Sequence, residues 1–484
     1  MLVKHRHRPL LHIGRMNPNN PATDFDAAWM ARYDFPAPRY TSYPTAPQFR
    51  ADFDEARYRE AIRTSNAASP PRPLSLYVHM PFCWSPCFYC GCNRIITHDK
   101  GRADRYLEQL AREVAMVAPL FDKGRTVRQL HLGGGTPNFA DPDRLKRLLD
   151  MLRAHFEFGD DYEGVEAGIE IDPRFSDAAY VRELGAMGFN RLSIGVQDFD
   201  PRVQAAVNRL QTPEETRVAV DAARGSGFTS VNIDLIYGLP RQTPAGFAQT
   251  LARVIDIAPD RLAVYGYAHL PRLFKAQRQI DASELPDAAA RMHLFGLALE
   301  MLGDAGYVHV GMDHFARPDD ELVRAQAEGT LQRNFQGYST RGECDIVGLG
   351  MSAIGRIGDS YSQNARDITG YALALENDRL PVAKGIVLDR DDLVRRAVIG
   401  ELMCRGRIDF DAFDERHGIV SEEYFADAWP RLRQLEADGL LELSARQLEA
   451  TTRGRLLLRV IAMSFDAYLA AEQPQQEPRY ARSV

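Results

Sequence analysis

Four of the six cysteines, Cys83, Cys87, Cys90 and Cys92, fall within ten residues of one another. The first three form C-x3-C-x2-C just after a short apolar run, YVHM (77–80). Thiolates are soft ligands, and one wrapped loop can supply three of them to the corners of a cubane iron–sulfur cluster. The fourth iron then stays open for a small ligand. A structural zinc site takes four ligands, usually from two separate knuckles, and no second pair stands at suitable spacing downstream. Zinc and plain reduced thiols are the minor readings left open. Cys344 and Cys404 are scattered, so the chain does not carry the disulfide framework of a small secreted domain.

Such a loop must be held by regular elements. Runs that predict strands lie at 74–80, 127–133, 165–172, 191–197, 230–238 and 261–268. Amphipathic stretches separate them. Within 102–121, Leu107, Leu110, Val114, Val117 and Phe121 recur at steps of three and four, on one helix face. The alternation implies right-handed βα units and a parallel sheet. Six units point to an α/β fold, a partial (β/α)6 TIM-like barrel, although spacing alone does not separate this from a two-layer Rossmann sheet. Residues 284–304 read as a long helix, and 311–360 as loops and short strands near a site.

From about 388 the pattern predicts three helices and a hairpin over 439–458, a winged-helix-like arrangement. Residues 1–55 then form an N-terminal extension and arm, 56–360 the barrel, and 361–484 a mostly helical C-terminal cap. The segments MNPNNPATD (16–24) and QPQQEPRYARSV (473–484) read as disordered.

Composition narrows the partners. In 484 residues, 59 Lys+Arg face 66 Asp+Glu, a net charge of -7, which argues against non-specific nucleic-acid binding. The wing region 390–470 holds 12 Arg against 15 acidic residues, so it reads as a structural lid rather than a DNA reader. No run of 18 apolar residues exists to span a membrane, and the basic first residues lack the apolar core of a secretory signal. The chain is therefore expected in the cytoplasm.

C-x3-C-x2-C after a first strand, with Tyr89 before the last cysteine, resembles the radical S-adenosylmethionine superfamily. Within it the chain resembles the oxygen-independent coproporphyrinogen III oxidases of haem biosynthesis. The matching stretches include PRYTSYPTA (38–46), LHLGGGTP (130–137), IEIDPR (169–174), GFNRLSIGVQDF (188–199), NIDLIYGLP (232–240), GMDHFARPDDEL (311–322), RNFQGYST (333–340) and GLGMSAIG (348–355). They run in the family's order over roughly 38–470. Cys92 and RNFQGYST favour the oxidase over a haem-chaperone paralogue that shares the barrel and the three cysteines; related haem-degrading methyltransferases are a further alternative. The basic stretch before Met16 has no counterpart in the pattern, so Met1 and Met16 both stand as starts.

The resemblance implies that Cys83, Cys87 and Cys90 ligate a 4Fe-4S cluster. Cys92 is not expected to, because a fourth thiolate would close the iron that the cofactor needs. It also implies two S-adenosylmethionine molecules, with Tyr77, Gly134, Glu170 and Ile354 on the first and Tyr89, Gly135, Thr136, Gln197, Arg209, Asp234 and Ala268 on the second. Physical sense supports several of these. Glycines let a backbone approach a ligand and offer it free N–H groups. Carboxylates at strand ends can accept from amino or ribose groups, and an otherwise apolar barrel interior would penalise them without a partner. Arg209 can pair with a carboxylate in bidentate fashion.

The implied reaction is a radical oxidative decarboxylation of two propionates of coproporphyrinogen III to vinyl groups, giving protoporphyrinogen IX. A 5′-deoxyadenosyl radical does the bond-breaking, so no acid–base residue is required. The expected protein is a monomer that draws electrons from a flavodoxin- or ferredoxin-type donor. Arg39, Arg272, Arg317 and Arg333 are candidates for holding the substrate's carboxylates, and PRYTSYPTA is expected to fold over the barrel mouth.

Overall fold

The computed structural model describes residues 25–159, 164–471 and 480–483. Leu74–Met80 (β1), Val127–Gly134 (β2), Glu166–Ile171 (β3), Arg191–Gln197 (β4), Ser230–Tyr237 (β5) and Arg261–Gly266 (β6) pair in that order, all parallel. These are the six expected strands. Two short strands extend the β6 side: Val308–Gly311 (β7) and His314–Ala316 (β8), with β8 antiparallel to both β6 and β7. On the other side, Asp345–Leu349 (β9) lies parallel to β1, a seventh parallel strand. Ile354–Ile357 (β10), Ser360–Asn364 (β11) and Val382–Val387 (β12) continue from β9 as antiparallel neighbours. The sheet runs from β12 at one edge to β7 at the other and does not close, which makes the barrel partial. The boundary expected at residue 360 thus falls inside the sheet, because β11 and β12 still belong to it.

The helices start sharply. Asp141 caps Pro142–His155, Thr212 and Glu215 form a capping box on Pro213–Arg224, and Thr243 caps Pro244–Ile257, each with a proline in the first turn. These helices cover one face of the sheet. Leu76, Val78, Leu130, Leu132, Ile169, Leu192, Ile194, Ile233, Leu235, Leu262 and Val264 point to that face and are 2% exposed or less.

Strand alternation sends every second residue the other way, into the lumen. The polar residues among them are Ser75, Tyr77, His79, Gln129, His131, Glu166, Glu170, Arg191, Ser193, Asn232, Asp234, Arg261 and Tyr265. The lumen is therefore polar, not apolar as expected from sequence. It is satisfied across strands: Ser75 Oγ donates to Gln129 Oε1 (2.7 Å), and Gln129 Nε2 to Glu166 Oε1 (2.8 Å). Arg191 and Arg261 both donate to Glu321 Oε1 (2.8 and 2.7 Å).

The C-terminal part packs Arg390–Arg405, Phe410–His417, Ser421–Tyr424 and Trp429–Ala437 against a three-stranded sheet of Arg407–Asp409, Gln447–Ala450 and Leu441–Leu443. The hairpin is shorter than the 439–458 expected. Thr451 caps a helix over Thr452–Leu456 by accepting from the Gly454 N–H, which ends the strand. Among the described residues no helix is long and apolar enough to cross a membrane.

Residues 16–24, expected to be disordered, lie outside the described residues, as do 473–479 and 484. Residues 480–483 of the same expected tail are ordered instead. Pro36 and Arg482 form an antiparallel bridge, the Ala37 N–H donates to the Ala481 carbonyl (3.0 Å), and the Ser483 N–H donates to the Phe35 carbonyl (2.8 Å). The neighbouring arm is pinned as well: Tyr40 OH donates to Asp466 Oδ2 (2.9 Å), and the Ala467 N–H donates to Tyr43 OH (3.2 Å).

One buried acid joins four elements. Glu113, on the helix Gly101–Val117, is 1% exposed and accepts from the Gly350 N–H (2.7 Å), Asn364 Nδ2 (2.7 Å) and Tyr371 OH (2.5 Å). Burial outweighs these bonds and raises its pKa to about 7. The folded protein holds this proton up to about pH 7, whereas the unfolded chain releases it near the ordinary glutamate value of about 4.3. Unfolding therefore releases a proton in this window, and stability falls as pH rises across it. Urea unfolding at pH 5 and pH 8 should show that Glu113→Gln loses about 2 to 3 kcal/mol of this pH dependence relative to wild type.

Candidate active site

From the end of β1 the chain passes Pro81 into Phe82–Cys83, which pairs in parallel with Ile95–Ile96 and closes a loop carrying Cys87, Cys90 and Cys92. Carbonyl capture fixes the loop. Arg94 donates to the carbonyls of Cys87 (3.1 Å), Cys90 (3.3 Å) and Cys92 (3.4 Å), and Asn208 Nδ2 to that of Pro86 (2.8 Å). Thr136 Oγ1 lies 3.2 Å from Cys83 Sγ, Arg209 Nη1 3.6 Å and Arg174 Nη2 3.9 Å from Cys87 Sγ. Hydrogen bonding from Cys92 is the main influence that lowers the Cys90 thiol to about 6, while burial pushes Cys83 up to about 12. Cys83 thus ionises only beside added positive charge, such as a bound metal supplies.

Both arginines converge on Asp172, which is 5% exposed. Its carboxylate accepts from Arg209 Nη1 (3.0 Å) and from Arg174 Nε (2.9 Å) and Nη2 (2.6 Å). Two guanidinium groups per carboxylate leave a net positive charge beside Cys87, the environment a thiolate-ligated anionic group requires. Among the described residues, no three His, Cys, Asp or Glu side chains converge to hold one metal ion. A zinc ion needs such convergence, whereas a cluster takes each thiolate on a different iron.

The glycine segment packs against this loop. A Cβ on Gly133 would lie 2.7 Å from Glu170 Oε1, on Gly134 2.4 Å from the His79 ring, and on Gly135 2.6 Å from the Pro81 backbone. Gly134 also has φ +113°, a conformation side chains rarely adopt. Its N–H donates to Glu170 Oε2 (3.3 Å), the Gly135 N–H to the Met80 carbonyl (2.8 Å) and the Thr136 N–H to the Phe82 carbonyl (2.9 Å). Free N–H groups for a ligand were expected here. The structure uses all three, one on Glu170 of β3 and two on the chain that leads into the cysteine loop, so the segment's contribution is close backbone approach.

Around it stand the lumen's acids. Glu170 Oε1 lies 3.2 Å from His131 Nε2, and the Tyr77 ring stacks on His131. Burial opposes its charge, but His131 and the Gly134 N–H hold Glu170 below the ordinary carboxylate range. Asp234 accepts from Asn232 Nδ2 (2.8 Å) and Ser193 Oγ (3.4 Å); burial and the Glu170 charge raise it to about 7. The two carboxyls are therefore pushed apart, one ionised and one holding its proton near neutrality.

At the end of β4 the register shifts, and Gln197 adopts φ +71°. Gln197 and Arg209 close over Gly195, where a Cβ would lie 2.9 Å from Gln197 Nε2 and 3.1 Å from Arg209 Nη2. Gln277 Nε2 joins Tyr89 and Ala268 by donating to both carbonyls (2.9 and 3.1 Å). Tyr77, Gly134 and Glu170 thus gather around the His79–His131 pair. Ile354 instead packs with the Phe49, Tyr361 and Leu388 cluster.

The four candidate arginines separate. Arg39 pairs with Asp313 and lies over the Tyr265 ring, and Arg333 Nε donates to the Arg39 carbonyl (3.3 Å). Both are at the mouth. Arg272 is exposed on the loop after β6. Arg317 is misplaced for the role: β8 runs antiparallel, so Ala316 pairs with Arg261 at the start of β6, the end opposite the mouth. Sequence reasoning had passed over Asp172, Arg174, Arg94, His79, His131 and Gln277. Asp172 and Arg174 had a signal, standing directly after a strand in IEIDPR; Arg94 and Gln277 act through backbone carbonyls, which no motif announces.

A model of the Radical SAM superfamily matches residues 77–254, and one of the HemN C-terminal domain matches 388–457. The chain is 50% identical over 455 residues to an oxygen-independent coproporphyrinogen III oxidase of Pseudomonas aeruginosa, covering 94% of this chain and 98% of that one. It is 46% identical over 454 residues to the protein of that name from Escherichia coli K12, again covering 94% and 98%. The solved structure of E. coli coproporphyrinogen III oxidase, described as a radical SAM enzyme, matches with a TM-score of 0.87 at 46% identity, covering 92% of this chain and 99% of that one.

The Asp172 hub is open to direct test. Asp172→Asn leaves buried Arg209 and half-buried Arg174 without a carboxylate, so a loss of about 3 kcal/mol is expected in urea unfolding, together with a lower iron content after anaerobic reconstitution. Unchanged values of both would remove Asp172 from the site's support.

Proposed function

The chain belongs to the oxygen-independent coproporphyrinogen III oxidase family of the radical SAM superfamily, and we propose that it converts two propionates of coproporphyrinogen III to vinyl groups. The observation that carries this reading is the cysteine loop, with three thiols beside a net positive Asp172–Arg174–Arg209 cluster at the mouth of a polar barrel. When bound, a reduced 4Fe-4S cluster and S-adenosylmethionine would supply a radical able to remove a propionate β-hydrogen, after which loss of CO2, with one electron passed to an external one-electron acceptor, would leave the vinyl group.

Cys83, Cys87 and Cys90 hold the cluster. The ionised Glu170 accepts from a cofactor amino group, and Gly134 and Tyr77 shape the space beside it. Gln197, Arg209, Asp234, Tyr89, Gly135, Thr136 and the Ala268 carbonyl region form the second cofactor's surroundings. Protonated Asp234 can donate to one polar group while accepting from another. Arg209, its charge stabilised by Asp172, faces both the thiol and the strand end, which suits it to a carboxylate or a cluster-bound anion. The arm around Arg39–Tyr43, tied to Asp466 and Ala467 and with Arg39 over Tyr265, would help to exclude water from a radical. The reading places the protein in the cytoplasm as a monomer, reduced by a flavodoxin- or ferredoxin-type donor.

Anaerobic reconstitution tests the whole. Wild type should take up a 4Fe-4S chromophore and form vinyl groups from coproporphyrinogen III. Each of Cys83→Ala, Cys87→Ala and Cys90→Ala should lose the chromophore, whereas Cys92→Ser should keep it. A chromophore with stable haem binding and no turnover would make the protein a haem chaperone instead, and a colourless zinc protein would defeat both readings.

A further inference from the structure

Three arginines, Arg459 buried and Arg39 and Arg333 half-buried, meet at the mouth with too few acids to match them. Arg39 comes from the N-terminal arm, Arg333 from the short hairpin Gln332–Ser339, and Arg459 from the C-terminal helix Leu458–Ala462. Arg459 is 5% exposed, in an otherwise apolar run, LLLRVIA. Its Nε donates to the Ser483 carbonyl (3.0 Å), Nη1 to that of Ala37 (3.4 Å) and Nη2 to that of Arg482. Carbonyls satisfy three of a guanidinium's five donors but supply no charge. Asp313 serves Arg39, and Asp34 serves Arg291 and Arg482. Among the described residues no carboxylate lies within ion-pairing distance of Arg333 or Arg459, and Arg333 Nη1 is buried without a partner. Unpaired buried charge is costly, and it persists where a ligand completes it.

Arg39 and Arg459 line a small cavity of about 20 Å³ at the ends of β5 and β6, with Tyr237, Tyr267, Phe295 and Met312 among its walls. Cations beside aromatic and aliphatic surface suit an amphiphilic carboxylate rather than a compact inorganic anion. We propose that Arg39, Arg333 and Arg459 form a carboxylate subsite that takes the terminal carboxylate of a propionate arm of the substrate. This rests on the substrate class proposed above. Burial, then the charges of Arg459 and Arg333, lowers Arg39 to about 10, and burial lowers Arg459 to about 10.

The test is fluorescence titration of the full chain with coproporphyrin III, the stable tetracarboxylate, and with its uncharged tetra-amide. Wild type should prefer the acid. Arg459→Gln and Arg333→Gln should each weaken acid binding on the order of tenfold or more without changing amide binding, and Arg459→Lys should recover part of the loss. Unchanged acid affinity in both glutamine variants, or no preference by wild type, overturns the subsite. If Arg459→Gln fails to fold by circular dichroism, Arg333→Gln decides alone. Coproporphyrinogen turnover, measured in parallel, separates the two claims: wild-type turnover with unaltered binding in the variants sinks only the subsite, and absent wild-type turnover sinks the function.

Discussion

A sheet that curls around a lumen must satisfy every polar group it points inward, because little water remains to do so. That constraint organises this protein. The helix-facing residues of each strand are Leu, Ile and Val, which leaves the opposite row free to be polar. Ser75, Gln129 and Glu166 then hydrogen-bond from strand to strand at the closed end, and Arg191 and Arg261 share Glu321. Nearer the mouth the same rows supply Tyr77, His131, Glu170 and Asp234. The network below therefore holds the rotamers above it, and the two upper carboxyls differ in charge state because one has a histidine and a backbone N–H while the other has only neutral donors.

The glycines follow from the same crowding. Glu170, His79 and the Pro81 backbone each claim the space of one missing side chain, so the segment 133–135 is seated between the acid and the cysteine loop. Asp172 does for the loop what Glu321 does at the base. One carboxylate orients two arginines, and both then reach the same sulfur.

Much of this could be read from the sequence. Six of the seven parallel strands, the long helix near 288–304 and the helical C-terminal part announce themselves by period, and the cysteine spacing by itself points to a cluster. The misses share a physical origin. Alternation in a strand tells which residues share a face, but not that the inner face is wet, so the lumen was expected to be apolar. Position after a strand did not reveal that the N–H groups of 134–136 already had acceptors. Arg317 stood in a matching stretch, yet the antiparallel turn of β8 carries it to the wrong end. Arg459 drew no expectation from the sequence, because its surroundings depend on residues 37 and 483 arriving beside it.

That last arrangement bears on the order of assembly. Residues 35–37 leave the ribosome before any barrel strand, but their backbone partners, residues 481–483, are made after all of them. The barrel and its cysteine loop can therefore be complete while the arm still lacks its final tether. The arm, made first, is thus among the last parts of the chain to gain all its backbone partners.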